Sequence, residues 1–206
     1  MHYVELGRLK PDSVPPREAI VRVTADRLEG KPQSTPRLDI VARGGLAAMA
    51  KYDGPVWVDR HVVAIDPAVQ TRTGFGAELT RTIEARRQWL VSQDLGRVTA
   101  DGAFEVRTST FARLREREFE RIGADVAKRL GVPHTPIATG RPIRGRVTET
   151  FEAPSGRVAI VQRSGDFTLV PWSRRLDPRR GREIVGTVTA QGLVLGRGRG
   201  RVGLER

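Results

Sequence analysis

Near residue 141 the hydrophobic pattern changes its period, and that change limits the folds open to the chain. Upstream, Phe75, Leu79, Ile83 and Leu90 fall near one face of a helix, which Gly96 would end. Phe111, Leu114, Phe119, Ile122, Val126 and Leu130 line one face of a second helix. That helix starts near the N-cap types Thr108-Ser109-Thr110 and stops at Gly131, with Pro133 beyond. Between the two, Arg97-Val98-Thr99 and Phe104-Glu105-Val106 read as a short hairpin turning at Asp101-Gly102. Downstream the period is two. Strands are expected over 146–151, 157–162, 167–170, 183–189 and 193–195, with turns at Pro154-Ser155-Gly156, Ser164-Gly165-Asp166 and Gln191-Gly192. Five short strands at this spacing predict a small β-barrel with Val158, Ile160, Leu169, Trp172 and Val185 in its core.

The fold class expected is therefore α+β. A mixed strand and helix region, 1–140, holds two long helices at about 75–95 and 108–130. The small β-barrel occupies 141–195, and a Gly/Arg tail occupies 196–206. Within the first region, His2-Tyr3-Val4-Glu5-Leu6 alternates in polarity, and Ala19 to Thr24 is β-branched after Pro15-Pro16, so both read as strands. Met1 sits directly on the first strand, as expected of a start inside a larger fold or of a fragment. Lys31 to Pro36 is a loop. Leu38 to Tyr52 is Ala-rich enough for a helix, which Gly44-Gly45 weakens. Asp53-Gly54-Pro55 is a turn, and the apolar run Val56 to Val63 suits helix or strand.

Charge points to a partner. Lys+Arg is 36 against Asp+Glu 24, a net charge of +12 with pI near 11.3. Only Lys10, Lys31, Lys51 and Lys128 are lysines, so 32 of the cations are arginine. The guanidinium fork matches phosphate oxygens in a bidentate way, and so basic a chain carries a nucleic-acid footprint. A GC-rich genome explains arginine over lysine but not the excess itself. There is no cysteine, which excludes disulfide and thiolate chemistry and points to a cytosolic setting. No apolar run approaches a membrane span, so no membrane insertion is expected.

Catalytic signals are missing. His2, His61 and His134 are scattered and not at ligand spacing, and Tyr3 and Tyr52 stand in no nucleophile setting. No phosphate-binding glycine loop with lysine occurs. Glu116, Glu118 and Glu120 lie among arginines and read as solvated helix pairs. No catalytic residue, metal or cofactor is therefore expected.

Two basic features remain. The helix–hairpin–helix of 75–130 has the outline of a winged helix-turn-helix, with Arg81, Arg86 and Arg87 on the first helix and Arg97 on the wing. The alternative is a helical hairpin with arginines on its wet face. The second feature is Arg174, Arg175, Arg179, Arg180 and Arg182, followed in the tail by Arg197, Arg199 and Arg201. Such segments hold nucleic acid through charge and stacking. These twelve arginines form the expected DNA contact set. Binding is expected through phosphates with weak sequence preference, because no Asn or Gln pair is placed for base readout.

Several segments, in order, resemble the C-terminal region of VirD-type conjugative relaxases and mobilisation nucleases. They are Val56-Trp57-Val58-Asp59-Arg60-His61-Val62-Val63-Ala64, Gly74-Phe75-Gly76-Ala77-Glu78, Leu130-Gly131-Val132-Pro133-His134, Ser155-Gly156-Arg157-Val158-Ala159, Phe167-Thr168-Leu169-Val170-Pro171-Trp172 and Leu195-Gly196-Arg197-Gly198-Arg199-Gly200. His2-Tyr3-Val4 also resembles a strand there. The resemblance implies DNA nicking at a transfer origin by the parent protein, covalent attachment of the DNA end, and export through a type IV secretion channel. The family's catalytic tyrosine and metal histidines belong to an N-terminal domain that nothing here matches, so none is carried over. What it implies for this chain is a non-catalytic, DNA-associated accessory module of conjugation. The rival is a protein-interaction or translocation-signal module read by the relaxosome or the type IV secretion coupling protein. A third reading is a stand-alone regulator.

Overall fold

The computed structural model describes residues 14–15, 17–24, 27–28, 31–32, 37–63, 73–189 and 192–196. The chain divides into two compact units, Met1–Phe111 and Ala112–Arg206.

In the first unit, β1 (Ile20–Thr24) pairs antiparallel with β4 (Arg37–Ala42), and β2 (Arg27–Leu28) pairs with β3 (Lys31–Pro32). The helix expected over Leu38 to Tyr52 is not formed. Leu38, Ile40 and Ala42 pair across to β1, and after Gly44-Gly45 only a single turn follows, α1 (Leu46–Met49). β-branched residues fit a pleated ladder better than a helix, so tertiary pairing overrides the alanines. Val56 to Val63 forms a 3-10 turn, Trp57–His61. The strand expected at His2 to Leu6 lies outside the described residues. The long helix α2 (Gly74–Ser92) buries Leu79, Ile83 and Leu90. Two of these join Ile20, Ala42, Leu46, Met49, Val56 and Val58 in one core. β5 (Gly96–Val98) and β6 (Phe104–Val106) then pair antiparallel.

Arg86 sits on the apolar stripe of α2 and is fully buried. Its Nε donates to Asp59 Oδ1 at 2.8 Å, Nη1 to the Tyr52 carbonyl at 2.6 Å, and Nη2 to the Gly54 carbonyl at 2.8 Å and Asp59 Oδ2 at 3.2 Å. Trp89 lies under the guanidinium, 4.5 Å from ring centre to carbon. Asp59 Oδ2 also accepts the Val56 N–H at 2.8 Å, which fixes the start of the 3-10 turn. A buried charge is tolerated only when paired and hydrogen-bonded, and both conditions are met here.

The second unit carries α3 (Thr110–Leu130) from Ala112 onward, followed by an antiparallel sheet. The sequence pattern groups α3 with the residues before it, whereas its apolar stripe packs on the sheet that follows. The strands are β7 (Pro142–Ala153), β8 (Gly156–Gln162), β9 (Phe167–Pro171), β10 (Glu183–Thr189) and β11 (Gly192–Leu195). Their order is β11-β10-β7-β8-β9. β7 bends, so that its first half pairs with β10 and its second half with β8, with a register shift after Val147. At the bend a Cβ on Gly145 would lie 2.6 Å from the Gln162 carbonyl, so only glycine fits.

One face of the sheet buries Ile143, Val147, Ala159, Val161, Val170, Ile184, Val188 and Leu193. The other buries Val158, Ile160, Phe167 and Leu169 against Phe119, Ile122, Val126 and Leu130 of α3. β8 and β9 are thus apolar on both faces, whereas β7 and β10 alternate. Val185, expected inside, is 42% exposed, because the alternation of β10 puts Ile184 and Val188 inward instead. Trp172 is only half-buried.

The sheet is open. No ladder joins β11 to β9, so the small β-barrel read from strand spacing is not formed. Part of the outer edge of β9 is already taken. The Phe167 N–H donates to Pro133 O at 3.1 Å, and the Thr135 N–H donates to Phe167 O at 2.8 Å. Between those two residues, His134 packs against Phe167, ring centroids 5.2 Å apart, and fills the space that the missing side chain of Gly123 leaves on α3. Burial pushes its imidazole below the ordinary histidine range, and the charge of Glu120 pulls it partly back.

Two outcomes follow for stability. Arg86→Ala leaves Asp59 and two carbonyls without their donor, and should cost about 3–5 kcal/mol in urea unfolding. Arg86→Lys should recover little of this, because one ammonium cannot span the four acceptor positions. For His134, a lowered folded-state value means that the unfolded chain binds the proton more tightly. Stability is then complete above the unfolded value of about 6.5 and falls as pH drops through it. Melting temperatures should decline between neutral pH and about pH 5.5, and His134→Asn should flatten that decline.

Candidate nucleic-acid interface

The connection from β9 to β10 carries the densest run of positive charge, with five arginines and one aspartate between Ser173 and Arg182. Its first half is a 3-10 turn, Arg174–Arg179. Leu176 is 1% exposed and enters the sheet core, which pins the turn from below. The Leu176 N–H donates to Ser173 O at 2.8 Å, and the Arg182 N–H donates to Arg179 O at 2.8 Å. The end of the connection is tied to β7. The Gly181 N–H donates to Val147 O at 2.7 Å, and the Val147 N–H donates to Arg182 O at 3.2 Å. The backbone is therefore held at three places while Arg174, Arg175, Arg179, Arg180 and Arg182 are exposed. None of the five forms an ion pair among the side chains that the structure describes, which do not include that of Asp177.

Beside this turn lies a cleft of about 360 Å³ lined by Thr150, Phe151, Glu152, Arg157, Leu176 and Arg180. Arg157 stands over the Trp172 ring at 4.7 Å, and its Nε donates to Glu152 at 2.8 Å. The Trp172 N–H donates back to Arg157 O at 2.9 Å. The guanidinium is thus oriented on an aromatic platform with its terminal amino groups directed by that stack. Nearby, Glu149 is held below the usual carboxylate range, first by its hydrogen bond from Arg129 and further by the charge of Arg180. Arg157 and Trp172 were not in the sequence-derived set. The signal for them was an arginine at an outward strand position, and an aromatic two residues before the arginine run.

The arginines of the first unit have different surroundings. Arg86, expected to meet phosphate, is corrected to a structural residue, because it is buried with its donors consumed. Arg87 donates to Val62 O and Glu84, both at 2.7 Å, and lies 5.5 Å from the Phe104 ring. Arg97 pairs with Glu105 at 2.7 Å. The Arg81 Nε donates to Ala77 O at 3.3 Å, and on the same wet face of α2 stand Glu78, Glu84 and Gln88. That face offers phosphate as much repulsion as attraction. Arg197, Arg199 and Arg201 lie outside the described residues.

Among the described residues no group of His, Asp and Glu is placed to hold a metal ion. Tyr52 contributes its backbone carbonyl to the Arg86 cage, and His61 packs edge-on against Trp57 at 5.1 Å. No helix of the described residues is long and apolar enough to cross a membrane.

A family model described as "Protein of unknown function (DUF3363)" matches residues 21–202, nearly the whole chain. The chain belongs to the DUF3363 family. The match takes in α2, the open sheet and the arginine turn, so both units are part of the DUF3363 unit of descent. Neither the curated proteins nor the solved structures yield a match.

The turn of this DUF3363 chain depends on its anchor. Leu176→Ala empties a buried site, and should cost about 2–5 kcal/mol. It should also free the backbone around it, so that trypsin cuts between residues 174 and 182 faster under native conditions while the rest of the chain stays resistant.

Proposed function

We propose that this chain is a non-catalytic DNA-holding module whose contact surface is the arginine turn between β9 and β10. The observation that carries the reading is five arginines crowded into one exposed turn on a backbone fixed by Leu176 and Val147, none of them ion-paired among the side chains described. Elsewhere, several exposed arginines have ion-pair partners on the chain: Arg97 with Glu105, Arg129 with Glu149, and Arg144 with Glu183. Like charge crowded into so short a stretch repels itself in the fold and attracts an anionic partner. The oriented Arg157 and the cleft beside it extend the surface. α3 covers the face of β8 and β9, so contact falls to loops and not to that face of the sheet.

The resemblance to the C-terminal region of conjugative relaxases supports a setting in DNA transfer, where such a module would keep the strand close to a catalytic domain. A winged-helix mode through α2 is less favoured, because its wet face mixes Glu78 and Glu84 with Arg81. Phosphate contacts position a protein without reading sequence, so little base preference is expected.

Fluorescence anisotropy with labelled single-stranded and duplex oligonucleotides, taken across a salt series, tests the reading. Affinity should fall log-linearly with salt. The variant with Arg174, Arg175, Arg179 and Arg182 changed to Gln should lower the slope by about 3, at roughly 0.7–0.9 per phosphate contact. Unchanged binding by this variant, or no binding of either form by the parent chain at low salt, rejects the proposal.

A further inference from the structure

The DNA reading leaves the first unit without a role, and that unit carries a cleft of different chemistry. Ile20, Val21, Leu46 and Phe75 wall an apolar cleft of about 500 Å³, with Glu18 and Glu78 on its rim. Ile20 and Leu46 belong to the core of the unit, so two of the walls are fixed. Phe75 is 49% exposed and stands at the mouth of this cleft, whose deeper walls Ile20 and Leu46 are buried.

Two further observations say what fits there. β1 pairs with β4 on one side only, and its second edge has no ladder partner among the described residues. A free edge offers a row of N–H and C=O groups to an extended chain. The rim is acidic in a protein whose net charge is +12. Neither Glu18 nor Glu78 forms an ion pair with a described residue.

We propose that this cleft docks an extended segment of a partner protein in which basic and apolar residues alternate. The segment adds to the free edge of β1, sets an apolar side chain against Phe75 and Leu46, and carries its arginines or lysines to Glu18 and Glu78. Strand addition supplies affinity, and alternate side chains supply specificity. The charge argument separates this partner from others. A basic peptide is repelled by the molecule as a whole and attracted only at a local acidic rim, whereas an acidic peptide would be drawn to the arginine turn. The inference does not depend on DNA binding.

Anisotropy on the intact chain, at physiological salt, would use three labelled octapeptides: alternating Arg–Val, alternating Glu–Val and alternating Arg–Gly. The Arg–Val peptide should bind, and the Arg–Gly peptide should bind about tenfold more weakly or worse, for want of the apolar anchor. Glu78→Gln should weaken Arg–Val binding about threefold to tenfold, and Phe75→Ser by about tenfold or more. Any binding of the Glu–Val peptide should be unaffected by either change. Both positions are exposed on α2, so thermal melting should stay close to the parent, and a shared melting curve keeps the comparison valid. Glu18→Gln repeats the charge test from the other side of the cleft. If the Arg–Val peptide does not bind, or binds the Glu78 and Phe75 variants as tightly as the parent, the proposal is overturned.

Discussion

A guanidinium withdrawn from water has to find acceptors in its own plane, and in the first unit Arg86 finds all of them within one short stretch of chain. Tyr52, Gly54 and Asp59 supply the oxygens, and Asp59 in turn caps the turn that begins at Val56. The stretch from 52 to 61 has little regular structure of its own. It holds its path because α2 brings one cation to a place where carbonyls must converge on it. Replace the cation and that convergence has no cause. Val56 and Val58, which join the core with Leu79 and Ile83, are positioned through the same cage.

The same requirement sorts the other arginines. Where a carboxylate lies within reach the fork closes on it, as in Arg163 with Asp166, where both contacts are 2.6 Å. Where an aromatic ring is available the plane lies over it, as in Arg157 on Trp172. Others face water, as do the exposed arginines of the turn between β9 and β10. Composition alone does not separate these three fates, because all three are the same residue.

Much of the architecture could nevertheless be read from residue order. The strands of the sheet fall close to where alternation and turn residues place them. For Arg86 the signal lies in the spacing. Leu79, Ile83, Arg86 and Leu90 recur at spacings of four, three and four, so the arginine lies on the buried stripe and not on the wet face. Val185 shows the cost of one residue of register, since β10 alternates and its neighbours Ile184 and Val188 take the inner positions. Strand pairing around Leu38 to Ala42 was hidden because its partner lies about twenty residues earlier, across a segment without strong signals. Failure of the sheet to close was not legible either. Whether β11 and β9 join is set by tertiary geometry, which no local pattern encodes. The basic turn was legible as charge, but its anchor was not: Leu176 is one apolar residue among arginines until the core receives it.

That anchor changes the thermodynamics of whatever meets the turn. A loop of arginines free to wander would lose backbone and side-chain freedom each time an anion arrived, and that loss would weaken every contact made. With Leu176 in the core and Val147 bonded at the far end, the backbone's share of the loss has already been incurred in folding. The arginines still give up rotamers, but they do so from fixed bases. An arriving polyanion therefore meets an array of charges already spaced by the fold, and the spacing itself becomes a property that selection can act on.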